Sequence, residues 1–283
     1  DMIEFKGNLY ASTGWDGIGG QVWRSPNGTS WTQVVENGFG NSGNFAVAVF
    51  EIFNDELYAG TGKSTSGVEI WRSSSGDNGS WMPVVTNGFN NDSANNHITG
   101  FAVFNGFLYA ITENTSEGAE VWRSSNGAIW SQVNTNGFGN ANNILAGGLV
   151  TFNGYLYTTT SNTLSGGQMW RTNNGTAWTQ VIGNGFGDPN NTKLDGPFVF
   201  DNKLYVVTAN SVTGAEIWQT NNGNTWIQVN LDGFGDSNNQ ESLWSSAQEI
   251  FNGKLYIGTT NLATGGEIWQ MDFKKLYLPF TIR

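Results

Sequence analysis

The sequence predicts an all-β protein, a six-bladed β-propeller with four antiparallel strands per blade. The first observation behind this is a motif, Phe-x-x-x-Leu-Tyr-x-x-Thr followed by Gly-x-(Glu or Gln)-apolar-Trp. It recurs six times, and its tryptophans Trp23, Trp71, Trp122, Trp170, Trp218 and Trp269 lie 48 to 51 residues apart. The second is that each unit divides into four short β-type runs bounded by turn residues, with no stretch of helical apolar period. The third is that four strands in a repeat of this length is the pattern of a propeller blade.

The third unit shows the elements in order. Phe101 to Phe104 and Leu108 to Thr112 flank Asn105-Gly106, a hairpin signal. A loop ending at Gly118 leads to a third run, Glu120 to Arg123, and Ser124-Ser125-Asn126-Gly127 turns the chain into a fourth, Trp130 to Val133. The template recurs at Phe5, Phe53, Phe104, Phe152, Phe200 and Phe251, and at Thr13, Thr61, Thr112, Thr160, Thr208 and Thr259. A residue that every blade needs is most simply a packing residue. The chain is read as one domain over 1–283, with blades at about 1–44, 45–96, 97–145, 146–193, 194–242 and 243–283.

Composition narrows the partners. Net charge is −11 and only 12% of residues are charged, so solubility rests on Gly, Asn, Ser and Thr loops. Phosphate binding needs a basic stripe, which argues against nucleic acid. There is no cysteine, hence no disulfide framework, thiolate metal site or cysteine nucleophile. No apolar run approaches the about 20 residues that span a bilayer. The chain opens at Asp1 without a signal peptide, so a secreted form implies a leader removed or omitted. Sequons occur at Asn27, Asn78, Asn91, Asn114, Asn174 and Asn190, and matter only in a host that glycosylates them.

The turns between third and fourth strands, such as Ser124-Ser125-Asn126-Gly127-Ala128-Ile129-Trp130 and Thr220-Asn221-Asn222-Gly223-Asn224-Thr225-Trp226, resemble the Asp-box (BNR) turn of sialidase-like propellers. They carry Asn for Asp and are about one residue shorter. In that family the box is structural, so the resemblance implies a fold. The family's arginine triad does not map here, because Arg24, Arg72, Arg123 and Arg171 occupy one equivalent position in separate blades. Glu69, Trp71 and Arg72, repeated as Glu120, Trp122 and Arg123, are also the residue types of six-bladed, lectin-like fucose-binding propellers. Strand alternation places Glu69 and Trp71 on one face and Ile70 and Arg72 on the other, which favours a blade-packing Trp with a polar partner.

Strand parity puts the loops after the second and fourth strands on one face, and that face is the expected binding side. Its Asn/Asp-rich loops, with Asp188, Asn190 and Asn191 or Asp236, Asn238 and Asn239, offer oxygens to calcium. The turn-forming reading of these residues is preferred, and no cofactor is expected. Ligand-binding candidates are departures from the template: Trp15 and Asp16 in the first blade, His97 in the loop entering the third, Glu241 and Trp244 in the loop entering the sixth.

The tail Lys274, Lys275, Leu276, Tyr277, Leu278, Pro279 and Phe280 is the expected last outer strand and an assembly candidate. Tyr277 stands eight residues after Trp269, as Trp130 does after Trp122, and an unpaired edge there would accept a strand from another chain. The expected function is a secreted or surface-displayed, non-catalytic propeller for recognition or adhesion, binding a glycan, a surface protein or copies of itself. A structural subunit of an extracellular assembly is the second reading. A sialidase-like glycoside hydrolase is the third.

Overall fold

A computed structural model describes residues 1–14, 17–63, 66–90, 92–241, 248–270 and 274–276. The chain forms two compact units, Asp1–Ala146 and Gly147–Arg283. In the first, repeat one pairs Met2–Phe5, Asn8–Ser12, Val22–Ser25 and Thr32–Val35 as an antiparallel sheet. Repeat two pairs Ala46–Phe53, Glu56–Gly62, Ile70–Ser73 and Met82–Val85. Repeat three pairs Asn95–Phe104, Phe107–Asn114, Val121–Ser124 and Ser131–Gln132. The second unit holds the same order in repeats four and five, ending for repeat five in Asn191–Phe200, Lys203–Asn210, Ile217–Thr220 and Ile227–Gln228. The expected all-β, antiparallel organisation is therefore present.

The hairpins follow their turn residues. Asn105 and Gly106 take φ of 49° and 77°, the left-handed pair that a two-residue turn needs to match strand twist. The first strand of repeat three starts earlier than its apolar run, at Asn95, because this segment also bonds repeat two: Lys63 N–H donates to Asn96 O at 2.7 Å, and Gly62 pairs with His97. The fourth strand is shorter than expected because Asn134 takes over the ladder. Its Oδ1 accepts from Val121 N–H at 2.7 Å and its amide donates to Ala119 O at 3.1 Å.

Tyr10, Tyr58, Tyr109, Tyr157 and Tyr205 are fully buried. A Cβ on Gly76, Gly127 or Gly223 would overlap the hydroxyl of Tyr10, Tyr58 or Tyr157 in the preceding repeat, so the turn glycine is a packing requirement as well as a φ requirement. Lys274 stands at that turn position in repeat six. There the hairpin is shorter: Lys274–Leu276 pairs with Glu267–Gln270, setting Trp269 opposite Lys275, whereas Trp71 faces Pro83. The expected register, aligning Tyr277 to Phe280 with Trp81 to Val84, is corrected accordingly. Tyr277, Leu278, Pro279 and Phe280 lie outside the described residues.

Within each unit, consecutive repeats are held by a stacked latch. In each Asn/Asp-Gly-Phe loop the phenylalanine takes positive φ, 63° at Phe39, 57° at Phe89, 63° at Phe186 and 56° at Phe234. This is a costly conformation for a bulky residue. It is offset by stacking on the tryptophan of the next repeat, Phe39 on Trp71 at 4.6 Å, Phe89 on Trp122 at 4.5 Å, Phe186 on Trp218 at 4.3 Å and Phe234 on Trp269 at 4.4 Å. Replacing Phe89 by Ala should therefore cost about 3–5 kcal/mol, read as a lowered urea midpoint with unchanged strand signal in circular dichroism.

Candidate functional site

Beside each stacked pair lies a polar network set by asparagine. Asn95 Nδ2 donates to Gly88 O at 2.9 Å and to Glu120 Oε2 at 2.7 Å, and Trp122 Nε1 donates to the same Glu120 oxygen at 2.8 Å. Asn114 Nδ2 donates to Asp92 Oδ2 at 3.0 Å and Asn95 Oδ1 at 3.2 Å. Repeat five repeats this with Asp188, Asn191, Asn210 and Glu216, and repeat six with Asp236, Asn239, Asn261 and Glu267. The Glu-x-Trp motif is thus a packing device, as the alternation argument preferred. The Asn/Asp loops close turns: Asp188 Oδ1 accepts from Asn190 N–H at 2.9 Å, and Asp236 Oδ1 from Asn238 N–H at 2.9 Å.

The charges differ from junction to junction. At Glu69 burial raises the carboxyl pKa, but Lys63, Asn44 and Trp71 outweigh it, so it lies below its ordinary value. Lys63 stands where the template has Asn114, and Asn41 replaces the Asp92 counterpart. At Glu120 burial pushes the pKa up, Asn95 and Trp122 draw it back, and the Asp92 and Glu117 charges add to the rise. Glu216 is likewise raised, by burial first.

Glu117 makes the second junction different. At its template position stand Ser66, Ser165, Thr213 and Thr264, and Ile18 in the first repeat. Among the described residues Asp92, Glu117 and Glu120 form one trio of acids, with a carboxylate oxygen from each within 4.8 Å of the others. Glu120 is buried, Asp92 half-buried and Glu117 exposed, so the trio opens to solvent on one side. Asp92 is fixed by Ala94 N–H at 2.9 Å as well as by Asn114, and Glu117 Oε2 accepts from Asn136 Nδ2 at 2.6 Å. These hard oxygens suit acid–base chemistry, and a divalent cation of the calcium type. The sequence reading placed their two loops on one face without singling out Glu117, although the loss of the template Ser/Thr was visible.

The sequence-predicted residues are spread out. His97 lies within the strand Asn95–Phe104, not in a loop, because the strand runs on to meet repeat two. Its Nδ1 stands 4.0 Å from Glu113 Oε2, with both side chains half-buried. Burial lowers its pKa to about 4. Glu241 likewise falls in a short strand, Asn239–Glu241, paired with Lys254–Asn261. Trp15, Asp16 and Trp244 lie outside the described residues. In the second unit Lys193 Nζ reaches Asp195 Oδ1 at 3.1 Å, an ion pair that sequence reasoning missed.

No family model and no curated protein matches the chain. Solved structures do. A prolyl endopeptidase is similar with TM-score 0.64 and 10% identity, over 99% of this chain and 42% of that one. The chain thus spans less than half the length of that enzyme. A luciferin-regenerating enzyme is similar with TM-score 0.56 and 11% identity, over 93% of this chain and 87% of that one. A protein from Bifidobacterium bifidum described as an exo-β-1,3-galactanase is similar with TM-score 0.50 and 10% identity, over 83% and 91%.

These likenesses show a propeller-like all-β fold. They also overturn the expectation of a non-catalytic recognition or adhesion module, and of a structural subunit beside it. That expectation took internal symmetry as an argument against catalysis, and the fold's neighbours include enzymes.

Two pH effects follow. His97 has a folded pKa of about 4, below its ordinary 6.5, so its contribution is fully present above pH 6.5 and is lost as pH falls toward 4. The loss is on the order of 3 kcal/mol, and His97→Gln should flatten it in urea unfolding between pH 7 and 4. Glu120 has the opposite sign. Its raised pKa penalises the ionised fold, so stability returns as pH falls through that pKa toward 4.5. Glu120→Gln should remove this gain at little cost at pH 7, whereas Glu120→Ala should lose about 1–3 kcal/mol by stranding Asn95 and Trp122.

Proposed function

We propose that the six repeats are six blades of a propeller and that the chain is a glycoside hydrolase acting through Asp92 and Glu117. The observation that carries this is the trio: an exposed carboxylate, added where the template has Ser or Thr, beside two acids the fold already holds together. Retaining glycosidases use two carboxyl groups about 5–5.5 Å apart, and oxygens within 4.8 Å of one another are close to that range. The description of one fold neighbour as a galactanase is consistent with the substrate class.

Glu117, at the solvent edge, donates its proton to the departing glycosidic oxygen as that bond breaks. Asp92, aimed by Ala94 N–H and the Asn114 amide, bonds the anomeric carbon. Water then displaces Asp92 while Glu117 takes its proton back. Glu120, its own pKa raised by burial first and then by the charges of Asp92 and Glu117, lies beside both groups.

Wild-type protein should release nitrophenol from a panel of p-nitrophenyl galactosides. Glu117→Gln should lower kcat by about 10²–10⁴-fold and leave unfolding free energy within about 0.5 kcal/mol. A wild type silent on the whole panel, or a Gln variant with full turnover, would remove the reading.

A further inference from the structure

The hairpin that supplies two of the amides around the trio carries, next to them, a histidine seated on a glycine. Gly62 pairs with His97, and a Cβ built on Gly62 would stand 2.8 Å from His97 Cδ2 and 2.8 Å from the Phe45 ring. A Cβ does not rest that close to a ring carbon, so a side chain there displaces a ring. The strand pairing itself does not demand glycine. At the equivalent pairing one repeat later Glu113 faces Leu145, and in the second unit Ser161 faces Lys193. What excludes a side chain at Gly62 is the pair of rings, His97 and Phe45, whose centroids are 6.1 Å apart.

The ring is coupled to the trio through a short, heavily bonded segment. His97 is two residues from Asn95, whose amide holds Glu120 Oε2 at 2.7 Å and reaches Asp92 Oδ2 at 3.5 Å. On the opposite strand Glu113, paired with His97, precedes Asn114, whose amide holds Asp92. The backbone between is pinned on one side by Lys63 N–H on Asn96 O at 2.7 Å and Val68 N–H on Asn95 O at 2.8 Å. A displaced imidazole therefore shifts the strand from which Asn95 reaches the acids, and Lys63 and Val68 limit how that shift is absorbed.

We propose that Gly62 is a positioning residue for the carboxylate trio: the side chain it lacks is the seat of the His97 imidazole, and the seated ring fixes the reach of Asn95 to Glu120. This rests on the hydrolase reading only for its catalytic consequence. The groups facing the imidazole are Glu113 from the partner strand, Gly62 from repeat two and Phe45 from the link before it. The ring is neutral through most of the pH range because burial holds its pKa at about 4.

Two NMR readouts in the full chain test the seat without turnover. In Gly62→Ala the imidazole titration midpoint should rise from about 4 toward the ordinary 6.5, and the Asn95 side-chain amide resonances should move. Phe45→Leu, which opens the same seat without altering a glycine, should shift both in the same direction and serves if Gly62→Ala does not fold. A folded variant with midpoint and Asn95 resonances unchanged overturns the proposal. In the hydrolase assay Gly62→Ala should lower kcat about tenfold with KM little changed; full kcat alongside moved Asn95 resonances would overturn the catalytic consequence. If the wild type lacks turnover, the hydrolase reading fails while the two NMR readouts still decide the seat.

Discussion

The buried asparagine between repeats is the interaction on which the rest depends. Asn44, Asn95, Asn191 and Asn239 each donate one side-chain amide to the carbonyl of the preceding loop's glycine and to the glutamate of the following repeat. A buried amide of this kind costs several kcal/mol if left unpaired, so the loop, the glutamate and the strand entering the next repeat have one joint arrangement. The positive φ of Phe39, Phe89, Phe186 and Phe234 is tolerated on the same terms, through the tryptophan it stacks on.

This constraint brings charge together as a by-product. A latch that needs a glutamate on one repeat and an aspartate-capped turn on the other places two acids on one network of asparagine amides, at Asp92 and Glu120 through Asn114 and Asn95, and at Asp188 and Glu216 through Asn210 and Asn191. The first junction relieves this with Lys63 against Glu69 and Asn41 in place of the aspartate. The second junction does the reverse and adds Glu117. Concentrating like charge is unfavourable for folding, and a position that departs from the template in that direction is a place to look for chemistry.

Internal symmetry is not by itself an argument against activity. Repetition constrains the residues that pack one repeat on the next, such as Trp122 and Tyr109, and leaves loop positions such as Glu117 free. A catalytic constellation needs unlike groups at one point, and a single substitution beside a repeated pair is enough to supply them. Fold neighbours that are enzymes are in keeping with this.

The period of the Phe, Leu-Tyr and Trp positions determined the four-stranded antiparallel repeats, since alternation and turn residues are local properties of the chain. Local chemistry also made legible the Asn105-Gly106 hairpin, the turn role of Asp188 and Asp236, and the packing role of Trp71. Tertiary structure alone decided that His97 belongs to a strand, because its partner Gly62 lies in another repeat. It likewise set the last hairpin's register, in which Trp269 faces Lys275 where Trp71 faces Pro83. The trio was not read from the sequence: the departure of Glu117 from Ser66, Thr213 and Thr264 was visible but not singled out, and its closeness to Asp92 and Glu120 depends on how two loops from adjacent repeats are drawn together by Asn95. Contacts between residues far apart in sequence are fixed by packing and shared hydrogen bonds, which a pattern read along one chain does not contain.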